Sequence, residues 1–167
     1  MLKEHVYPAL LGISKFLSKT LKEQPDGTLL VDPSFSPEQK HNKQYYRTKG
    51  CIFDQSMILE TYQDLLKAAK ILNSRDPFLK TVKEQIGKLD AIKIGESGQI
   101  KEFREETKYG EIGEYTHRHI SHLCALYPGT TINNNTPEWM KAAIITLNKR
   151  GDKSTGWATV SYTHLRA

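Results

Sequence analysis

Apolar side chains recur three or four residues apart in several stretches of this chain, and that spacing is typical of helices with one buried face. Near the start, apolar residues at positions 6, 10, 13, 16, 17 and 21 follow it, and so do those at 57, 58, 62, 65, 66, 69 and 72. The pattern predicts helices at about 5–24, 54–73, 77–89 and 137–150. We therefore expect an all-α chain.

Turn-forming residues separate the predicted helices. Pro25-Asp26-Gly27 ends the first helix, and Asp76-Pro77 places an N-cap and a first-turn proline at the start of the third. Gly151 is a left-handed cap for the last helix. The segment His119–Leu126 is expected to form one more short helix. Strand signals are few, and we expect only Thr28–Val31 to be extended.

Composition excludes several classes of partner. The chain has 167 residues, enough for one domain, and its formal net charge of +5 comes from scattered lysines. No phosphate loop, aromatic RNA-binding motif or zinc-finger spacing accompanies them, so no nucleic-acid partner is expected. No membrane partner is expected either, because the apolar run at 6–17 is amphipathic and interrupted by Ser14 and Lys15. Two cysteines are too few for a disulfide framework.

Glu102 is the strongest candidate for catalytic chemistry. It follows a glycine-containing turn at residues 95–98 and precedes Phe103. A carboxyl group beside an aromatic ring loses the hydration that stabilises its charged form, so we expect its pKa to be raised. The His117–Leu123 segment adds imidazole and guanidinium donors that could hold a polyhydroxylated substrate or orient the acid. The simpler alternative is that Glu102 is a solvated surface residue.

Other polar residues have two interpretations. His119 and His122 are three residues apart and could present two imidazoles to a metal. Because no third ligand follows at a suitable spacing, structural hydrogen bonds or contacts to a polyhydroxylated substrate are favoured, and neither a metal nor a cofactor is expected. Asp54 either caps the second helix or belongs to a site. Arg150-Gly151-Asp152 is interpreted as a helix end followed by a turn.

Several motifs in a fixed order resemble the catalytic domain of glycoside hydrolase family 95, from about Tyr7 to Ala158. The motifs are Pro33-Ser34-x-Ser36-Pro37-Glu38, Ile94-Gly95-x-x-Gly98-Gln99-x-x-Glu102, His117-Arg118-His119-x-Ser121-His122-Leu123 and Arg150-Gly151-Asp152-x-x-Thr155-Gly156-Trp157. That family comprises inverting, exo-acting α-L-fucosidases, with some members acting on α-L-galactosides, and its catalytic domain is an (α/α)6 barrel. The resemblance implies that this chain is a partial (α/α)6 barrel, an incomplete α/α toroid.

The resemblance also implies roles for individual residues. Glu102 would be the general acid that protonates the leaving oxygen of a glycan substrate, and Arg118 and His119 would contact the deoxy-sugar. The residues implied to line or brace the cavity are Glu38, Asp54, His117, His122 and Trp157. We expect five site residues to gather on one concave face: Glu38, Asp54, Glu102, Arg118 and His119.

The chain departs from the family pattern in three places. Phe103 stands where the family usually has tryptophan, which keeps an apolar wall but removes an indole donor. The family's water-activating asparagine and its partner aspartate belong to motifs that this chain lacks. Residues 1–160 are therefore interpreted as a fragment that supplies the acid half of a site completed by the rest of a parent chain, and is inactive alone. Residues 161–167 resemble translated adaptor sequence and are interpreted as a non-native tail.

Two questions stay open at this level. Enzymes of this kind commonly act outside the cytoplasm, which would make the parent secreted or periplasmic, but the chain itself does not define a compartment. The alternative to a hydrolase is a non-catalytic helical scaffold or interaction module that shares only the packing pattern.

Overall fold

The computed structural model describes residues 1–41, 43–90, 92–105 and 116–151, and this part of the chain is mostly helical. The α-helices are α1 (Tyr7–Thr20), α2 (Ile52–Ile71), α3 (Phe78–Ile86) and α4 (Pro137–Arg150). A π-helical turn, Leu2–Val6, precedes α1, and a 3₁₀ helix, Ser121–Leu123, lies between α3 and α4. The arrangement as part of an (α/α)6 barrel stays a prediction.

Two small antiparallel sheets accompany the helices. The first pairs β1 (Leu21–Glu23) with β2 (Leu29–Val31), and the second pairs β3 (Lys40–His41) with β4 (Gln44–Tyr45). The expectation of extended backbone near 28–31 is confirmed, but the expectation of almost no other strand was wrong.

The first helix ends at Thr20 rather than near residue 24, because the chain turns into β1 there. Leu21 adopts extended backbone with ψ of 133°, and Gly27 takes a positive φ of +80° in the turn that leads to β2. The side chain of Leu21 still packs against the buried cluster beneath α1. Leu21 therefore continues the apolar spacing of the helix, although its backbone belongs to a strand.

The other helix predictions agree with the structure within three residues, apart from one. α4 spans the predicted 137–150, and Gly151 with φ of +75° ends it. Asp76 caps α3, because its Oδ1 accepts a hydrogen bond of 2.9 Å from the amide of Phe78. The predicted helix at 119–126 was wrong, since only Ser121–Leu123 is helical and Ile120, with φ of −120°, precedes it in a non-helical conformation.

Two apolar clusters hold the described residues together. The scaffold core lies among α1, α2 and α3, and its fully buried members are Ile58, Tyr62, Leu65 and Val82. The α4 core joins α4 to the start of α2 and to connecting segments, and its members are Ile52, Ile92, Ile100, Leu123, Ala125, Leu126, Ile132, Ala142, Ala143 and Leu147. α2 contributes to both clusters, so it fixes one relative to the other. None of the described helices has the length and apolarity needed to cross a bilayer.

Candidate active site

A tight turn carries Glu102 into the interior. Gly98 has φ of +79°, in the left-handed region that favours glycine, and Ile94 bridges to Ile100 across this turn. The backbone carbonyl of Glu102 then accepts a hydrogen bond of 3.1 Å from the amide of Ile52 at the start of α2. As a result, Glu102 is only 3% exposed, so it is not a solvated surface residue.

Three distant segments of the chain meet at the Glu102 carboxylate. Its Oε1 accepts a hydrogen bond of 2.5 Å from Ser36 Oγ, and its Oε2 accepts one of 3.1 Å from Gln39 Nε2. These donors belong to residues 34–39, which we call the Ser-Pro-Glu loop. Arg150 Nη2, at the end of α4, donates to the same Oε2 over 3.3 Å. His122 Nδ1, from the 3₁₀ helix, lies 3.9 Å from it.

The polar surroundings keep Glu102 ionised. Burial raises the pKa of its carboxyl group, but His122, Arg150 and the hydrogen bonds from Ser36 and Gln39 together hold the pKa below the ordinary 4.5. The expected increase in pKa is therefore wrong for the described structure. The ring of Phe103 packs edge-on against Tyr46, at 5.2 Å between ring centroids. The Glu102 carboxylate accepts hydrogen bonds from the side chains of Ser36 and Gln39.

His122 is neutral in this environment. Its side chain is fully buried, and the pKa of the imidazole is lowered to about 4. Burial is the largest cause of this decrease, Arg150 and His117 add to it, and Glu102 opposes it. At neutral pH the ion pair at the centre of the site is therefore Glu102 with Arg150, and His122 beside it is an uncharged ring. His122 becomes charged only in acid, where it helps to hold the pKa of Glu102 down.

A half-exposed rim lies next to this buried centre. The carboxylate of Glu38, on the Ser-Pro-Glu loop, forms a salt bridge with Arg118 and lies 3.5 Å from His119 Nε2. The side chains of Glu38 and Arg118 are 45% and 51% exposed. Ser121 Oγ donates a hydrogen bond to the carbonyl of Pro37. The loop is thus attached to the buried carboxylate on one side and to a polar, accessible rim on the other.

His117 connects the rim to the buried centre. Its Nδ1 accepts a hydrogen bond of 3.1 Å from the amide of His119, and its carbonyl oxygen accepts one of 3.3 Å from Arg150 Nη1. Because Nδ1 is the acceptor, the neutral ring carries its proton on Nε2. Arg150 therefore contacts both Glu102 and the segment that bears the rim histidine.

Among the described residues, Asp54 is linked to the site through Ser34. Its Oδ2 accepts a hydrogen bond of 2.6 Å from Ser34 Oγ and lies 3.5 Å from Cys51 Sγ. The amide of Cys51 donates to the same Ser34 hydroxyl over 2.9 Å, and burial raises the pKa of the Cys51 thiol to about 12. This cluster anchors the start of the Ser-Pro-Glu loop to α2. The structure thus brings Glu38, Arg118 and His119 together and links them to Glu102 through the loop, with Asp54 behind them.

Three residues in direct contact with Glu102 were not predicted as site residues: Ser36, Gln39 and Arg150. A signal for Arg150 was present, since it follows Ala143 and Leu147 on the buried face of α4 by helical spacing. A charged residue at a core position needs a buried partner. Ser36 and Gln39 lie in a loop, where no periodicity distinguishes a buried polar side chain from an exposed one. Trp157 and the tail at 161–167 lie outside the described residues.

Within residues 1–41, 43–90, 92–105 and 116–151, no group of three or more His, Cys, Asp or Glu side chains could hold a metal ion. The site that these residues form is built around a buried carboxylate, its guanidinium partner and a polar rim. This constellation suits acid–base chemistry on a polar substrate.

Comparison with known proteins identifies the family. The chain matches the Glycosyl hydrolase family 95 catalytic domain over residues 1–167 and belongs to that family, which confirms the resemblance carried by the motifs. It is 35% identical over 164 residues to "Alpha-L-fucosidase 2" of Arabidopsis thaliana, an alignment that covers 95% of this chain and 19% of the relative.

Two fungal relatives agree with this assignment. The chain is 33% identical over 170 residues to "Probable alpha-fucosidase A" of Aspergillus niger, covering 95% of this chain and 21% of the relative. It is 37% identical over 111 residues to "Probable alpha-fucosidase A" of Aspergillus oryzae, covering 65% of this chain and 15% of the relative. The chain thus spans about a fifth of the length of the first two relatives.

Proposed function

We propose that this chain is part of an inverting glycoside hydrolase that removes terminal α-L-fucosyl residues from glycans, and that Glu102 is its general acid. Membership of family 95 and the names of the relatives support the reaction class. The observation that carries the residue assignment is the convergence of the Ser-Pro-Glu loop, the 3₁₀ helix and α4 on one buried carboxylate.

The rim next to this carboxylate supports a sugar as the substrate. Glu38, Arg118 and His119 offer one carboxylate and two donor groups at a half-exposed position. Charged and imidazole groups of this kind form directional hydrogen bonds with vicinal hydroxyls. We assign these three residues to recognition of the terminal sugar, and His117, His122 and Asp54 to bracing them.

A general acid must carry a proton, whereas the surroundings of Glu102 favour its charged form. In inverting glycosidases the two catalytic carboxyl groups lie about 6.5–9.5 Å apart. The negative charge of a second carboxylate raises the pKa of the first, and a bound sugar excludes water from it. We propose that another part of the parent chain supplies the water-activating group, and that it raises the pKa of Glu102 together with the substrate.

The decisive experiment replaces Glu102 in the full-length enzyme that contains this domain. General acid catalysis contributes about 10²–10⁴-fold to rate, so Glu102→Gln should lower turnover of natural fucosylated glycans by that factor. The loss should shrink for aryl fucosides with activated leaving groups, because these depart without protonation. Glu96→Gln, an exposed change in the preceding turn, is the matched control. Unchanged turnover of glycans by the Glu102→Gln enzyme would remove the acid assignment.

The division of the site between this chain and its parent has a test of its own. Purified residues 1–167 are expected to hydrolyse no fucoside, since we place the water-activating group elsewhere. Reproducible fucosidase activity that depends on Glu102 would place that group within this chain.

The second candidate function is a non-catalytic scaffold, and one observation favours it. A buried carboxylate paired with Arg150 and held at a low pKa is also the arrangement of a structural ion pair. If that is the only role of Glu102, then Glu102→Gln lowers stability, and any loss of activity is the same for good and poor leaving groups.

A further inference from the structure

Two residues of α4 form hydrogen bonds with the segment that carries Glu102. The first is Thr146, whose Oγ1 accepts a hydrogen bond of 2.9 Å from the amide of Ile100. The second is Arg150, whose Nη2 donates to Glu102 Oε2 over 3.3 Å. Thr146 and the side chain of Ile100 are completely buried. The contact at Thr146 is therefore protected from competition with water.

The two contacts lie one helical turn apart on α4. Thr146 and Arg150 are four residues apart on a helix that rises about 1.5 Å per residue, which separates them by about 6 Å along the axis. Their partners, Ile100 and Glu102, are only two residues apart in the chain. A shift of this short segment along α4 would therefore break both contacts.

The chemistry at Thr146 requires a hydroxyl group. Its oxygen donates its own hydrogen to the carbonyl of Ala142 over 2.8 Å, which leaves the lone pairs to accept from Ile100. Valine has the same shape but can do neither. Serine keeps the hydroxyl and loses only the methyl group. The amide of Ile100, if it lost Thr146, would be buried without a partner and would draw the segment away from its present position.

We propose that Thr146 is a positioning residue for Glu102, which holds the carboxylate at its contact distance from Arg150. The consequence for catalysis rests on the proposed function, whereas the positioning itself does not. Among the described residues, the ionisable side chains near Glu102 other than Arg150 include His122 on the 3₁₀ helix, and His117 lies close to His122. Neither lies on α4, so a change at Thr146 acts on the carboxylate through the register of α4.

The test uses two measurements on the 167-residue chain. Hydrogen exchange of the Ile100 amide reports the bond to Thr146, and carbon-13 NMR titration of the Glu102 carboxyl reports its pKa, which depends in part on the charge of Arg150. In Thr146→Val, Ile100 should lose protection at least about tenfold, which a lost buried hydrogen bond implies. The pKa of Glu102 should rise, because the guanidinium moves away. Thr146→Ser should restore both values.

Thr61→Val is the matched control. Thr61 Oγ1 also bonds to the carbonyl four residues earlier, that of Met57 at 2.7 Å, but on α2 and in contact with solvent. Thr61→Val should change neither the protection of the Ile100 amide nor the pKa of Glu102. If Thr146→Val does not fold, Thr146→Cys provides the same comparison, because a thiol fills the space yet accepts hydrogen bonds weakly. An Ile100 amide that loses protection while the pKa of Glu102 stays unchanged would overturn the proposal and leave Thr146 a purely structural role.

Kinetic measurements on the full-length protein test whether the positioning of Glu102 by Thr146 matters for catalysis. In the full-length protein, Thr146→Val should lower turnover of natural glycans about tenfold and shift the pH profile of kcat/KM, while Thr146→Ser should retain both. If the NMR result holds but Glu102→Gln leaves turnover intact, the proposed function fails and the positioning stands. If Glu102→Gln abolishes turnover while Thr146→Val leaves the pKa of Glu102 unchanged, the positioning fails and the proposed function stands.

Discussion

The two clusters of the structure bury different kinds of side chain. The scaffold core among α1, α2 and α3 is built from aliphatic residues and one tyrosine. Around the α4 core the structure buries a set of polar residues as well: Ser36, Gln39, Gln99, Glu102, His117, His122, Thr146 and Arg150. Apolar burial stabilises in proportion to area and tolerates small shifts. Buried charges stabilise nothing unless their partners stay within hydrogen-bond distance. The second region is therefore the one in which position matters most.

This contrast divides the described residues into a region held by apolar packing and a region held by directional polar contacts. The scaffold core fixes α1, α2 and α3 by non-directional contacts, and α2 extends from it into the α4 core. The carboxylate of Glu102, the guanidinium of Arg150 and the two buried imidazoles lie near the start of α2, next to the α4 core. The charge states of Glu102 and His122 depend on the neighbouring groups. The effect of a substitution on the free energy of unfolding should therefore depend on neighbouring charged groups and on pH in the polar region, but not in the scaffold core.

The largest effect is expected for Arg150→Met. It leaves the buried carboxylate of Glu102 without its cationic partner, and removing one member of a buried ion pair costs about 3–5 kcal/mol. Urea unfolding followed by circular dichroism measures the change. Lys149→Met, an exposed change at the neighbouring position, should lie within about 0.5 kcal/mol of the unchanged protein.

A second variant shows whether that cost arises from the unpaired charge. Adding Glu102→Gln to Arg150→Met removes the uncompensated carboxylate, so part of the lost stability should return. A double variant as unstable as the sum of the two single changes would show that Arg150 acts through packing alone.

In the scaffold core, Leu65→Ala should cost about 2–5 kcal/mol, because it leaves a cavity at a fully buried position. No titratable group takes part, so the cost should be the same at pH 7 and at pH 5. Ile71→Ala, on the same helix but 69% exposed, is the control and should cost little. If the loss in the free energy of unfolding caused by Leu65→Ala depended strongly on pH, the proposed difference between the two regions would be wrong.

The site region should instead lose stability in acid. The pKa of His122 is about 4 in the folded protein and 6.5 ordinarily, so between these values the unfolded state binds a proton that the folded state does not. Stability should therefore fall as the pH is lowered from about 6.5 to about 4, by at most about 1.4 kcal/mol per pH unit for this group. The low pKa of Glu102 extends the loss to still lower pH, below 4.5.

The variants that test this are His122→Asn and His5→Asn, each measured by unfolding at pH 7, 5.5 and 4.5. His122→Asn should flatten the dependence of stability on pH above 4.5, whereas His5→Asn, an exposed change, should preserve it. An unaltered slope in His122→Asn would show that His122 is not the titrating group.

The sequence predicted those helices for which the apolar spacing and the capping residues indicate the same bounds. Helix α4 was predicted with its observed bounds, since Pro137 opens it and Gly151 ends it. Leu21 shows why the first helix was predicted too long, because one apolar side chain can reach the same core from a helix or a strand. β3 and β4 contain two residues each, too few for an alternating pattern to be visible.

Less of the site could be predicted than of the fold. The motifs pointed to Glu102, but its ionisation depends on Arg150 and Ser36, which are 48 and 66 residues away in the chain. Contacts of that range follow from the packing of loops, and no local pattern encodes them. The expected rise in the pKa of Glu102 was wrong for the same reason, because charges and hydrogen bonds from distant segments outweigh the effect of burial.

The smallest effect concerns a polar contact at the edge of the scaffold core. Tyr62 is completely buried, and its hydroxyl donates a hydrogen bond of 2.6 Å to Gln85 Oε1. Tyr62→Phe keeps the ring, and Gln85 is only partly buried, so water can replace the lost donor. We expect a loss of about 1 kcal/mol in the free energy of unfolding. Tyr45→Phe, at a 60% exposed ring, is the control. A loss above about 3 kcal/mol would mean that the scaffold core depends on directional bonding as the site does, and the contrast between the two regions would no longer hold.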